Sequence, residues 1–296
     1  DGMTALDAPD TSMSPLIQNQ ASPDTLLTHL RSGGVPPDGI PAMTNPQIVG
    51  PEEAFYLSDD DLVLGVYLDG QARAYPRNLG WHHEIVNDRI GDRPISVTFC
   101  PLTSTGLVFA AADTTGTQIE FGVSGLLINS NLVLYDRSDQ ESLYPQMIFT
   151  GISGPHKGKR LQLLPVTETT WGLWKQLHPD TRIVQAGTGL ERYDFALRHI
   201  YDNKRYRNYP YGAYRNDHQA IMFMPTTAPL NFELPAKETV LGLVDNGQAK
   251  SYPFSRLPDG AVINDSLGTQ PVLIIFSAPT QTAIPYSRHI EGRTLT

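Results

Sequence analysis

The sequence predicts a mostly β fold (β-rich α+β), in which two related antiparallel units pack together with a few short helices. Glycine and proline contribute 25 and 24 of the 296 residues, more turn-forming residues than a helix-rich protein tolerates. The apolar segments are short, and none reaches the 18 residues that suggest a membrane-spanning helix. The third observation is an internal repeat, which defines the two units.

The repeat aligns two stretches of the chain without gaps. VLGVYLDGQARAYP at 63–76 recurs as VLGLVDNGQAKSYP at 240–253, a shift of 177 residues. With the same shift, IVNDRIGDRPISVTF at 85–99 matches VINDSLGTQPVLIIF at 262–276. Over 63–109, 15 of the 47 positions are identical, which indicates a duplicated unit.

Each unit is predicted to consist of β-hairpins. Strands at 63–68 and 71–75 flank Asp69-Gly70, a strong two-residue hairpin signal. A second hairpin joins 85–88 to 95–99 through Gly91-Asp92. Further strands are expected at 107–111, 118–123 and 132–135. The best helix candidate is 169–178, where Trp171, Trp174 and Leu177 are spaced along one face and a proline follows.

Four segments follow from this pattern. Residues 1–50 form a polar N-terminal arm, and residues 51–190 form the first unit. Residues 236–296 form a second, degenerate copy, which stops about halfway through the repeat. We expect either that the native chain continues or that this copy is truncated. Residues 191–235 form a connector rich in tyrosine and arginine. Its alternating Tyr and Arg side chains fit a stacking surface for a glycan or peptide, or a linker clamped to the body by its rings.

The net charge limits the binding partners, whereas the single cysteine leaves the redox compartment open. The net charge of −9 disfavours nucleic acid as a partner. The single cysteine, Cys100, cannot form an internal disulfide. The polar first 30 residues are typical of the tether left by a cleaved signal or lipoprotein segment and also of a disordered cytoplasmic terminus. We expect an extracytoplasmic protein: periplasmic, secreted or lipid-anchored.

The positions at which the two copies differ include side chains that can bind a metal or transfer a proton. Trp81-His82-His83-Glu84 aligns with Pro258-Asp259-Gly260-Ala261, and Cys100 aligns with Ser277. If the 85–88 and 95–99 strands pair about Gly91, either His82 or His83 lies opposite Cys100, at a Cβ separation of about 4.5–5.5 Å. A thiol and an imidazole at that distance suit either a His-activated thiolate or a soft metal site.

The leading hypothesis is an exported metal-binding protein, with copper first and zinc second. Cys100 and His83 are the expected ligands, with His82 and Met147 as further candidates, and Glu84 would orient a histidine. Bound copper would imply a redox role, that of a metal-dependent oxidoreductase.

Two alternatives remain. One is a metal-free thiol enzyme with Cys100 as nucleophile, His83 as base, and Glu84 or Asp88 orienting it. The other is a non-catalytic module that binds a glycan or peptide through the connector.

Familiar catalytic motifs are missing from the sequence. Position 87 is Asn, so H-E-x-x-H is excluded, and there is no G-x-S-x-G, G-x-G-x-x-G, P-loop or C-x-x-C. We therefore expect no nucleotide cofactor. We assign no role to the scattered histidines, which are His156, His178, His199 and His218.

From about Gly50 to its end, the chain resembles the bacterial and archaeal family known as domain of unknown function 3179. The resemblance rests on HHEIVND, VTFCPLTSTGLVF, FGVSGLLINSNLVLYDRSDQESLYPQM and TTWGLWKQLHPDT in this order. Its hallmark H-E-x-V-N-D and C-P-L segments fall on 83–88 and 100–102. Many members continue C-P-L-C-G-T and S-L-W-x-Q, where this chain has Thr103 and Tyr144. The resemblance implies an exported or lipid-anchored protein and no established activity.

Overall fold

The computed structural model describes residues 22–112, 118–192, 207–225, 233–245 and 248–295. Within these residues strand is far more frequent than helix, and the predicted β-rich class is confirmed. The described α-helices are short: α1 (Pro23–Thr28), α2 (Arg77–His83) and α3 (Trp171–Leu177). None of them is long and apolar enough to cross a membrane.

The strands before the connector form three sheets. Their orders are β1-β9-β10-β11, β12-β8-β7-β6-β2 and β13-β4-β5-β14-β3, with mostly antiparallel pairing. The bounds are β1 (Arg31–Ser32), β2 (Met43–Thr44), β3 (Ile48–Val49), β4 (Leu62–Leu68), β5 (Gln71–Pro76), β6 (Ile85–Ile90), β7 (Arg93–Cys100), β8 (Thr105–Ala110), β9 (Phe121–Ile128), β10 (Asn131–Asp136), β11 (Leu143–Pro145), β12 (Leu163–Leu164), β13 (Thr167–Thr170) and β14 (Arg182–Val184).

The strands after the connector follow the spacing of the repeat. They are β15 (Val240–Asp245), β16 (Gln248–Pro253), β17 (Val262–Leu267), β18 (Gln270–Ser277) and β19 (Thr282–Ser287), then β20 (His289–Ile290) and β21 (Arg293–Thr294). β16 to β19 begin and end 177 residues after β5 to β8, and β15 matches β4 apart from its first residue. β15 pairs with β16, and β17, β18 and β19 form a three-stranded sheet.

Most of the predicted elements form close to their predicted bounds. Each hairpin of the first unit is present, with a two-residue turn at Gly91-Asp92 that pairs Ile90 with Arg93. The 118–123 strand begins only at Phe121, because Gln118 makes an isolated bridge to Ala112. The predicted 169–178 helix begins at Trp171, because Thr170 ends β13 and caps the helix, accepting a hydrogen bond from Leu173 N.

The core of the first unit is built where α3 crosses β4. Trp174 is 2% exposed and lies directly on Gly65, where an added Cβ would come within 2.3 Å of the indole ring. Its Nε1 donates to Thr181 Oγ1 at 2.8 Å. The corresponding glycine of β15, Gly242, has no atom within 4 Å of its Cβ position. The same repeat position is therefore tightly packed in one unit and open in the other.

A polar network recurs in both units. Asp88 Oδ2 accepts hydrogen bonds from Arg73 Nη1 and Tyr75 OH, each at 2.8 Å. In the second unit, Asp265 Oδ2 contacts Lys250 Nζ at 2.6 Å and accepts from Tyr252 OH at 3.0 Å. These groups join the two hairpins of each unit.

Replacing Gly65 by alanine tests the packing of α3 on β4. We expect Gly65→Ala to lower the free energy of unfolding by about 1–3 kcal/mol, because the new methyl group must displace the Trp174 ring. The matched Gly242→Ala variant should change it by no more than about 0.5 kcal/mol. Urea denaturation of both variants measures the difference. Equal losses in the two would contradict this account of the packing.

Candidate functional site

Helix α2 and the residue that follows it position the predicted site. Glu84 ends the helix, its N–H bonded to Gly80 O at 3.0 Å, and it has a left-handed backbone with φ of 57°. β6 then begins at Ile85, which pairs with Thr98. The expectation that His82 or His83 faces Cys100 across a strand ladder is wrong, because both histidines lie in a helix.

His83 is buried and held in a defined orientation. Its Nδ1 donates to Pro41 O at 2.7 Å. Burial lowers the pKa of His83 to about 4, with the Pro41 carbonyl opposing this shift and His82 adding to it. His83 is therefore a neutral imidazole at physiological pH. His82 is half-buried and its Nε2 lies 3.0 Å from Asn208 O.

Cys100 ends β7 and is 1% exposed. Its Sγ donates to Ser130 O at 3.5 Å. Burial raises the pKa of the thiol to about 11, and the negative charge of Glu84 contributes. The thiol is accordingly protonated at neutral pH, unlike the depressed-pKa thiolates of reactive cysteines.

Glu84 is the unusual member of this group. Its side chain makes no hydrogen bond or ion pair with any residue that the structure describes. Burial raises the pKa of Glu84 to about 8. Burial and, second to it, the charge of Glu84 raise the pKa of Tyr211. A carboxyl group in this state is mostly protonated at neutral pH. We call His83, Glu84 and Cys100 the acid–thiol centre.

The described part of the connector covers the acid–thiol centre. Tyr209 OH donates to Pro101 O at 3.0 Å, and its ring packs edge-on against Trp81 at 5.7 Å. The Arg215 guanidinium lies 5.1 Å from the Trp81 ring. Tyr211, Tyr214 and Phe223 pack against the core cluster that contains Cys100. These ring contacts favour the interpretation of the connector as a linker clamped to the body, and the stacking surface for a glycan or peptide stays a prediction.

Phe223 fixes the far end of this cover. Its N–H donates to Ser130 Oγ at 3.2 Å, and Ser130 Oγ donates to Phe223 O at 2.7 Å. The sequence pattern does not place the connector over Cys100, because these contacts join residues far apart in the chain. Several of its tyrosines and arginines, Tyr193, Arg198, Tyr201, Arg205 and Tyr206, lie outside the described residues.

The predicted metal ligands do not gather at one point. In the described ranges, one group of three metal-competent side chains has its ligand atoms within 4.8 Å of one another, and it consists of Asp136, Asp139 and His156. His82, His83 and Cys100 do not form such a group. Met147 is 58% exposed and its backbone N–H donates to Asn131 Oδ1 at 3.3 Å.

The second unit shows what the fold itself requires at these positions. There, Ala261 and Ser277 replace Glu84 and Cys100. The strands nevertheless pair in the same way: Phe276 N donates to Ala261 O at 2.9 Å, as Phe99 N donates to Glu84 O at 2.7 Å. The hairpin therefore forms without a carboxyl or a thiol group.

Together, these features define a β-rich protein with a closed acid–thiol centre between a short helix and a strand end. The chain belongs to the family of proteins of unknown function DUF3179, whose model matches residues 37–296. The resemblance noted from the sequence motifs is thereby confirmed. No curated protein and no solved structure matches the chain.

The buried carboxyl group of Glu84 should make stability depend on pH. Its pKa is higher in the folded than in the unfolded chain, so its favourable contribution is complete below about pH 4.5 and is lost as the pH rises through about 8. Each pKa unit corresponds to about 1.4 kcal/mol. Between pH 5 and pH 9 we expect the wild type to lose on the order of a few kcal/mol relative to Glu84→Gln, measured by denaturant unfolding.

The control for this experiment is Glu52→Gln, which changes an exposed glutamate. It should follow the wild-type pH profile. Parallel profiles for the wild type and Glu84→Gln would show that the Glu84 carboxyl is solvated and would contradict the description of the centre.

Proposed function

We propose that the protein is an enzyme in which Glu84 exchanges a proton with a ligand that binds beneath the connector, next to the Cys100 thiol. The observation that carries this proposal is the burial of Glu84, which is only 7% exposed and whose carboxyl group makes no hydrogen bond or ion pair with a described residue. Such burial is unfavourable for folding. The second unit forms the same hairpin with alanine at this position, so folding does not account for the glutamate.

The backbone of Glu84 supports the same conclusion. A non-glycine residue with positive φ costs of order 1–3 kcal/mol and is concentrated at functional sites. At Glu84 this conformation ends α2 and begins β6. A carboxyl with a pKa near 8 is also suited to both giving and accepting a proton near neutral pH.

The neighbouring groups have complementary properties. Cys100 supplies a neutral thiol, and His83 supplies a neutral imidazole oriented by Pro41. In this arrangement Glu84 is the group that titrates closest to neutral pH. This is a metal-free mechanism, as in the thiol-enzyme hypothesis, but with Glu84 rather than His83 as the acid–base group.

Two sequence hypotheses remain as proposals. A copper or zinc ion at Cys100 would replace the proton of its thiol, since metal binding requires deprotonated ligands. Elemental analysis of the wild type and Cys100→Ser tests this, because a Cys100 metal is lost in the variant. We also propose that the protein works outside the cytoplasm, which fractionation of the native host would test.

The proposed function requires the connector to open while the rest of the protein stays folded. We expect iodoacetamide to alkylate native Cys100 faster than the chain unfolds globally. Tyr209→Ala should increase the alkylation rate roughly tenfold, since it removes the hydrogen bond to Pro101 and the ring contacts with Trp81 and Tyr211, together at least about 1.4 kcal/mol. Mass spectrometry measures alkylation, and stopped-flow fluorescence measures unfolding.

Tyr286→Ala, in β19 of the second unit, serves as the control. It should change alkylation only as far as it changes global unfolding. If alkylation follows the global unfolding rate in every variant, the centre is a sealed part of the core and the proposed function is wrong.

A further inference from the structure

A second cluster of chemically competent side chains lies at the end of β10, apart from the acid–thiol centre. Asp136 is the last residue of β10, Asp139 follows in the next turn, and His156 comes from a loop after β11. One ligand atom from each lies within 4.8 Å of the other two. The sequence pattern assigns no role to His156, since nothing in it shows that this loop folds back onto the turn after β10.

The local turn uses only part of the hydrogen-bonding capacity of the two aspartates. Asp136 Oδ1 accepts from Ser138 N at 2.8 Å and from Ser138 Oγ at 2.7 Å. Asp139 Oδ1 accepts from Glu141 N and Ser142 N, and Asp139 Oδ2 accepts from Ser142 Oγ. These bonds hold both carboxylates in fixed positions and leave Asp136 Oδ2 outside the turn.

The remaining oxygen of Asp136 is buried without a hydrogen bond. Asp136 is 0% exposed, and its Oδ2 has no hydrogen-bond partner among the described residues. It lies 3.3 Å from His156 Nδ1, which is also buried and also lacks a hydrogen bond. Two buried ligand atoms therefore face each other without the geometry of a hydrogen bond, and such pairs are rare in folded proteins.

The basic side chains nearest in sequence are engaged elsewhere. Arg137 donates to Asp38 Oδ1 at 2.7 Å and also pairs with Glu120. Lys157 pairs with Asp24 at 2.5 Å. In the described residues, no lysine or arginine lies within 4.0 Å of either carboxylate of the cluster. Two adjacent carboxylates thus share a partly buried site without a balancing lysine or arginine.

We propose that Asp136, Asp139 and His156 bind one divalent first-row transition-metal ion, with Zn²⁺ preferred over Mn²⁺. Carboxylate oxygens and an imidazole nitrogen are established zinc ligands, and three protein ligands are a number used by zinc sites. A given set of nitrogen and oxygen ligands generally binds Zn²⁺ more tightly than Mn²⁺. The ion joins the turn after β10 to the loop that carries His156.

The experiment uses the full chain, stripped with EDTA and then titrated separately with Zn²⁺ and Mn²⁺ by calorimetry. We expect one Zn²⁺ per chain, weaker binding of Mn²⁺, and a rise in Tm when Zn²⁺ is added, because a ligand that binds only the folded state stabilises it. Loss of an outer-sphere partner alone weakens metal binding about 10–100-fold. His156→Asn and Asp139→Asn should weaken Zn²⁺ binding at least as much.

The controls distinguish this site from the acid–thiol centre and from binding to exposed histidines. His218→Gln removes an exposed histidine, and Cys100→Ser and Glu84→Gln alter the acid–thiol centre; all three should keep full Zn²⁺ binding even if the proposed function fails. Circular dichroism in EDTA verifies that the His156 and Asp139 variants fold, and the wild-type titration does not depend on them. The proposal is wrong if the wild type takes up no stoichiometric Zn²⁺, or if His156→Asn retains it.

Two further results would also overturn the proposal. Binding that is lost in Cys100→Ser and kept in His156→Asn would place the metal at the acid–thiol centre. A Tm that is equal in Zn²⁺ and in EDTA would show that Asp136 and His156 form only an ion pair.

Discussion

The side chain of Asn87 joins the two sheets on which both sites depend. Asn87 is fully buried in β6. Its Nδ2 donates to Phe121 O at 2.9 Å, and its Oδ1 accepts from Phe121 N at 3.0 Å, so one amide satisfies both backbone groups of the first residue of β9. Leaving such buried groups unpaired would cost about 1–3 kcal/mol each. Because β6 follows Glu84 and β9 leads through β10 to Asp136, this contact sets the position of the acid–thiol centre relative to the Asp136 cluster.

The hairpins could be predicted because their signals are local. Asp69-Gly70 and Gly91-Asp92 specify two-residue turns, and the turn in each case fixes the register of the strands. Helix α2 has no comparable signal: it contains Gly80, a poor helix former. Its formation depends on packing, since a Cβ at Gly80 would come within 2.8 Å of Phe99. The sequence therefore predicted the strands on either side of the acid–thiol centre and missed the helix that carries its histidine.

The candidate residues could be predicted only where the two copies of the repeat differ. The replacement of Glu84 and Cys100 by Ala261 and Ser277 marked these positions, and both residues are buried in the structure. The cover formed by the connector and the approach of His156 to Asp136 involve residues far apart in sequence. No short motif encodes such contacts, so they became visible only in three dimensions.

The ion pair of the aspartate network is buried in the first unit and partly exposed to solvent in the second. The side chains of Asp88 and Arg73 are 7% and 11% exposed, whereas those of Asp265 and Lys250 are 26% and 42% exposed. The first pair lies in a medium of low effective dielectric constant, and the second is reached by water and mobile ions. Dissolved salt therefore screens the attraction in the second unit and largely spares it in the first. Ionic strength thus acts unevenly on the repeated network: it weakens the ion pair of the second unit before that of the unit that holds the acid–thiol centre.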